Sequence, residues 1–322
     1  MLDNRKLEII TILSVGLVLS FLPIWFGEYY LYLIRLVGIY TILALGVNIF
    51  MGYAGQINLG SSAFYCIGAY ATTMLQIKLN WSCFYAFPIS IFFTFLVAWG
   101  ISYPLLRLRG HTMAIGSLGF ATAVFLIAER FPTLTGGEDG ISVPPIFVLG
   151  QEMGKLFYYY LILGFALAAF IFCCFLVNSR IGRALRAMRD EEDAAEAMGV
   201  DVYQLKRLTW LISAVFGGIA GALYAPQAGF LSPSTFSLFS NILVVVMLVV
   251  GGLGSNLGSV LGAALMTLLP YLIAGIEEYS LLLQGIILFL VLRFLPDGIA
   301  GLFSKFRRVF LRVKLRGNLE LS

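Results

Sequence analysis

Long apolar runs alternate with short polar joints along this chain. Ten runs stand out, at about residues 7–26, 31–50, 60–77, 83–106, 112–131, 157–178, 208–226, 236–251, 258–275 and 279–296. Most approach the ~20 residues that a helix rising ~1.5 Å per residue needs to cross ~30 Å of hydrocarbon. The pattern predicts an all-α, polytopic membrane protein of about ten transmembrane helices. Gly-rich breaks separate the second run from the third and the eighth from the ninth. Eight spans with re-entrant pieces is therefore the competing count. The run 7–26 follows Arg5 and Lys6, as a secretory signal would, yet continues into Gly27-Glu28-Tyr29-Tyr30 without a small-residue cleavage site. It reads as a retained first span.

Composition excludes a soluble fold. The chain is 60% hydrophobic and 12% charged, whereas a soluble domain carries about 25% charged residues to cover its surface. Nucleic-acid binding is not expected, because the basic residues sit in short loops beside apolar spans. Of Cys66, Cys83, Cys173 and Cys174, no pair has metal-ligand spacing, and they read as small buried hydrophobes. His111 is the one histidine and stands beside Arg107 and Arg109 at a span end, an interfacial position rather than a catalytic one.

Charge placement tests the span count. With a cytoplasmic N-terminus and ten alternating spans, 17 of the 21 Lys and Arg fall inside, as the positive-inside rule asks. Arg35, Lys78, Arg130 and Lys155 fall outside. Both termini are then cytoplasmic. A transmembrane domain is expected over 1–302, followed by a basic tail at 303–322 that reads as an anchor on anionic lipid.

The densest charge lies at 183–207, between the sixth and seventh runs, on the cytoplasmic side. Ile181, Ala184, Leu185 and Met188 recur at helical spacing and form one apolar stripe. Asp190, Glu191, Glu192 and Asp193 suit the N-terminal end of a second short helix. Ala194, Ala195, Ala197 and Met198 continue it, and Gly199 is placed to end it. The residues alone admit a solvated loop or a docking site for a cytoplasmic partner. The apolar stripe and the small side chains favour docking.

Two polar, Gly-rich clusters interrupt the apolar pattern. One holds Asn48, Gln56, Asn58, Ser61 and Ser62; the other holds Ser255, Asn256 and Ser259. The string Asn-Leu-Gly-Ser occurs in both, at 58–61 and 256–259. Broken helices of this kind mark substrate paths, while Gly and Ser also serve close helix packing. Asn48, Gln56, Asn58, Ser61, Ser62, Ser255 and Asn256 are the candidate path. The longest outer loop, 132–156, carries Glu138 and Asp139 as candidate contacts for a protein outside the membrane.

The segment "GRALRAMRDEEDAAEAMGVD" resembles the coupling loop of permeases of ATP-binding-cassette importers, with Met198 in place of the second Ala of the family's Glu-Ala-Ala…Gly motif. "GYAGQINLGSSAFYCIGAYAT", "LRLRGHTMAIGSLGFA", "LTGGEDGISVP" and "GGIAGALYAPQAGFLSP" are similar to branched-chain amino acid permeases of the LIV-M type, over roughly residues 30–300. That family usually carries Ser and His where this chain has Asn58 and Ser61, and its close relatives carry urea and short amides. The resemblance implies a bacterial inner-membrane permease that is not an enzyme. It would pair with a second homologous permease, two cytoplasmic ATPase subunits and a periplasmic binding protein. It makes 179–207 the coupling loop, with Arg183, Arg186, Asp190, Glu191, Glu196, Ala197 and Gly199 as its ATPase-coupling residues. No cofactor is implied on this chain. It has no G-x-x-x-x-G-K-[ST] loop, so ATP would be bound by the partner subunits. A lone secondary transporter would need ionisable relays within its spans, and an intramembrane enzyme a convergent catalytic set. The sequence offers neither.

Overall fold

The computed structural model describes residues 16, 20–25, 27–108, 110–145, 147–148, 151–152, 154–272, 280–295 and 298–301. Of the first expected span, 7–26, only residues 16 and 20–25 are described, with a 3₁₀ turn at Leu22–Ile24, and the rest lies outside the described residues. So do Arg109, Glu277, Glu278 and the tail.

Helices occupy the other nine expected runs. They are α1 (Glu28–Asn48), α2 (Ser61–Leu79), α3 (Cys83–Leu105), α4 (His111–Arg130) and α5 (Lys155–Val177), then α8 (Val202–Ala228), α9 (Leu238–Gly251), α10 (Asn256–Leu272) and α11 (Ser280–Phe294). The charged segment between α5 and α8 folds into two short helices, α6 (Arg180–Asp190) and α7 (Glu192–Ala197). α8 starts six residues before the apolar run does, because Asp201 caps it: its Oδ1 accepts from the Gln204 N–H at 2.9 Å. The fold is not purely helical. Two minimal antiparallel ladders join β1 (Ile141–Ser142) to β4 (Phe230–Leu231) and β2 (Phe147–Val148) to β3 (Gln151–Glu152).

Among the described helices, five stretches are long and apolar enough to cross a membrane: Glu28–Tyr53, Cys83–Leu105, His111–Arg130, Lys155–Val177 and Val202–Ala228. They divide by burial. The apolar windows of Glu28–Tyr53 and Val202–Ala228 are 78% and 67% buried, against 22% for Cys83–Leu105. α1 and α8 are thus the central pair, and α3 faces outward. α2 is polar in composition because it too is interior. Its Thr72 hydroxyl bonds the Gly68 carbonyl and Ser90 of α3 at 2.8 and 2.7 Å, which satisfies that hydroxyl within the bundle.

α8 packs most extensively on α2. Small residues make that possible: a Cβ on Gly68 would stand 2.3 Å from the Gly218 carbonyl, and one on Gly221 2.0 Å from the Tyr65 carbonyl. This is the small-residue packing by which membrane helices approach without a hydrophobic driving force. Trp210 locks the same seam. It is fully buried, stacks edgewise on Phe50 and Phe64, and donates its indole N–H to the Ala98 carbonyl at 3.1 Å.

The bundle has two distinct ends. At one, Lys155 pairs with Glu28 at 2.6 Å, Lys78 donates to the Thr133 carbonyl, and Val143 N–H bonds Gly229. At the other lie α6 and α7. α1 and α5 run toward this island end, and α2 and α8 run back.

Candidate functional site

α6 opens with Ser179, whose Oγ accepts from the Gly182 N–H. Its buried face is Leu185 and Met188, packed with Tyr53, Ala54 and Val177 at the ends of α1 and α5 and with Ala195 of α7. The expected four-residue stripe splits. Ile181 is exposed, and with Ala184 it lines an open groove of about 940 Å³ shared with Trp99, Leu208 and Leu211. α7 ends as its Gly requires. Gly199 takes a left-handed φ of 84°, its N–H bonds the Glu196 carbonyl at 2.9 Å, and Val200 N–H bonds Ala195 at 3.1 Å. Arg183, Asp190, Glu191, Glu196, Ala197 and Gly199 are exposed around this surface, and Met198 is 85% exposed. Arg186 is tied down at its head, which donates to the Val177 and Gly182 carbonyls at 2.8 and 3.2 Å. It satisfies an orphan carbonyl at the end of α5.

The island grips the first Gly-rich cluster at two points. Arg189 of α6 donates to the Gly52 carbonyl. Glu192 of α7 accepts from Gln56 Nε2 at 2.6 Å and pairs with Lys206 of α8 at 2.7 Å. The Lys206 side chain is only 4% exposed, so this pair is an interior tie and not a surface ornament. Gln56 is therefore drawn to the island.

Immediately before it, α1 does not end cleanly. Ile49–Tyr53 forms a π turn, closed by Ala54 N–H on the Ile49 carbonyl at 3.1 Å. Such turns gather at functional positions. Here the second cluster meets the first. Asn48 accepts from the Gly254 N–H at 2.9 Å and donates to the Ser255 carbonyl at 3.2 Å. A Cβ on Gly52 would stand 2.5 Å from the Gly254 nitrogen. The two backbones touch because neither carries a side chain there.

The start of α2 is a separate polar knot. Asn241 of α9 accepts from the Ser62 N–H at 2.7 Å and from the Ser61 hydroxyl at 3.3 Å. Asn58 folds its Oδ1 onto the Gly60 N–H at 2.7 Å, and Ser117 of α4 accepts from Leu59 N–H at 3.0 Å. Asn58 Nδ2 and Ser62 Oγ are buried without a hydrogen-bond partner among the described residues. Asn256 opens α10 and reaches the Cys174 sulfur at 3.6 Å. The structure thus brings Asn48 and Ser255 together, and Ser61 with Ser62. It sends Gln56 and Asn256 to other partners. The repeated string is placed differently in its two copies: at 58–61 only Ser61 is helical, as the first residue of α2, whereas 256–259 is the first turn of α10.

Arg189, Lys206 and Asn241 were not singled out by sequence, and Glu192 was read only as part of a helix start. Arg189 follows Leu185 and Met188 by four residues and one, which puts it beside the buried face. Asn241 is a lone amide in an apolar run, which is itself a signal. At the opposite end, Glu138 and Asp139 are exposed on a 3₁₀ turn, with Arg130 3.8 Å from Glu138. Cys66, Cys173 and Cys174 are buried thiols that form no disulfide, and exposed His111 opens α4. Among the described residues no three His, Cys, Asp or Glu gather as a metal site would need.

Residues 29–292 match the family described as the branched-chain amino acid transport system permease component. The high-affinity branched-chain amino acid transport system permease protein LivM of Escherichia coli K12 is 31% identical over 292 aligned positions, covering 81% of this chain and 67% of the relative. A probable LivM of Methanocaldococcus jannaschii is 26% identical, covering 89% and 94%. LivH of Escherichia coli K12 is 25% identical, covering 81% and 91%. No solved structure matches the chain. A helical membrane bundle with a charged island packed on two broken-helix segments, matched over most of its length, belongs to the branched-chain amino acid transport system permease component family.

Proposed function

We propose that this chain is the passage subunit of an ATP-driven importer of branched-chain amino acids, set in the bacterial inner membrane with about ten spans and both termini in the cytoplasm. The observation that carries the reading is the island. An ATP-driven permease without a phosphate loop takes its driving force from another protein, and α6–α7 offers an exposed rim of small and charged residues on a buried apolar base. The rim around Glu196, Ala197 and Gly199 meets the ATPase. Sidedness follows from charge. The island end holds Arg180, Arg183, Arg186, Arg189, Lys206 and Arg207, against Arg35, Lys78, Arg130 and Lys155 toward the other. The segment 179–207 is then the coupling loop within a transmembrane domain over 1–302.

The substrate class is taken from the relatives' names. The relatives called LivM and LivH are both permease proteins of such a system in one organism, which supports a second, homologous permease beside this one. Two ATPase subunits and a periplasmic binding protein complete the assembly. The passage runs along the seam of Asn48, Ser255 and the start of α2, where buried amides and hydroxyls give a weak polar lining. The test is uptake of labelled leucine, urea and a short amide by the reconstituted complex with its own binding protein. Leucine accumulation that requires ATP and exceeds the other two supports the reading. Uptake independent of ATP overturns it, and preference for urea or the amide overturns the substrate class alone.

A further inference from the structure

We propose that Arg189 is a positioning residue that pins the coupling island to the seam between the two Gly-rich segments, so that movement of the island opens or closes that seam. The proposal rests on the importer reading. Three glycines surround the Arg189 side chain. It donates to the Gly52 carbonyl. A Cβ on Gly55 would stand 2.9 Å from its Cγ, and one on Gly254 2.6 Å from its Nη1. Gly52 and Gly55 belong to the first broken segment and Gly254 to the second, and they meet at the Asn48 clamp. One guanidinium carried by the island therefore occupies the space that both segments leave by lacking side chains.

A charge-assisted bond to a backbone carbonyl is short and directional. It transmits displacement in a way that loose apolar packing does not. The second tie runs in parallel. Glu192 holds Gln56, four residues beyond Gly52, and is itself held by Lys206 at the start of α8. The island thus cannot shift along the membrane plane without pulling residues 52–56, and Arg189 is where that pull reaches Gly254 as well. Leu185 and Met188 supply the adhesion, and Arg189 supplies the register.

The test uses the full complex in proteoliposomes with its binding protein, scored as leucine accumulated per ATP hydrolysed. Arg189→Met keeps the length of the stem and removes the donor. The expected result is parental co-purification of the ATPase, continued hydrolysis and at least a ten-fold lower ratio. Arg189→Lys should recover at least half of the ratio, since an ammonium still reaches the Gly52 carbonyl. A ratio within two-fold of the parent for Arg189→Met overturns the pin. So does failure of Arg189→Lys to recover, which makes the residue packing only. Should Arg189→Met not assemble, Gly254→Ala keeps the arginine but intrudes on its Nη1, and an unchanged ratio there overturns the pin equally. A parental complex that shows no ATP-driven uptake overturns the importer reading, and the pin with it.

Discussion

Lys206 is a buried ammonium at the island end of α8, and its one charged partner in the described structure is Glu192. Breaking a buried pair from one side leaves an uncompensated charge, which costs more than the pair contributes. Glu192→Gln should lower stability by about 2 kcal/mol, the partial exposure of Glu192 keeping the loss below that of a fully buried pair. Adding Lys206→Met should restore most of it. Unfolding midpoints of the purified chain check this, and a single variant within about 0.5 kcal/mol of the parent counts against it. The residue scale is also where the sequence was least legible. Asn48, Ser61 and Ser62 stood out as polar groups in apolar runs and proved to be buried, and half-buried Ser255 proved to be bonded to Asn48 through its carbonyl. Their partners did not stand out, because Asn241 lies some 180 positions from Ser61 and nothing local specifies that pairing. Arg189 was hidden for the opposite reason, as one charge among many.

Element boundaries were far more legible than element neighbours. Hydropathy locates nine helices because lipid forces every backbone group to bond within its own segment. It does not say that α2 lies on α8, since the Gly217-x-x-x-Gly221 spacing that permits the contact is common in apolar spans. Gly221→Ala places a methyl 2.0 Å from the Tyr65 carbonyl. A backbone cannot yield as a side chain does, so α2 and α8 must part, at a cost of about 2 kcal/mol or more. The yield of monodisperse protein should fall sharply, while Gly164→Ala on α5, which meets nothing within 4 Å, should leave it unchanged. Equal yields would show that the seam is looser than described. The island's two helices were legible, but their joint was not: Asp190 ends α6 instead of opening α7, and Met198 caps α7 instead of continuing it. Glu196→Arg, on the exposed rim of α7, should reduce ATPase co-purification or uptake several-fold without loss of insertion. Normal values for both would remove the docking role.

At the scale of the whole molecule the two ends present different surfaces. The end opposite the island presents Glu138 and Asp139 on a turn held by the Arg130 contact and by the β1–β4 ladder. Reversing both charges to Lys should cut the stimulation of ATP hydrolysis by the binding protein several-fold and leave unstimulated hydrolysis as it was. Stimulation at the parental level would place the binding protein elsewhere. None of this end-to-end arrangement is written locally in the sequence. Charge bias divides the loops into two sets, but only the folded chain shows that Gly229 and Leu231, just beyond α8, bond directly to the loop that carries those acids.

That placement makes α8 a lever. It is one helix of 27 residues, about 40 Å long, grasped by the island through Lys206 at one tip and stitched to residues 141–143 just beyond the other. A tilt of about 5° about one tip sweeps the other through roughly 3–4 Å over that length. A displacement imposed at either tip then reaches the other as the rocking of a single beam, because one unbroken helix joins the two contacts.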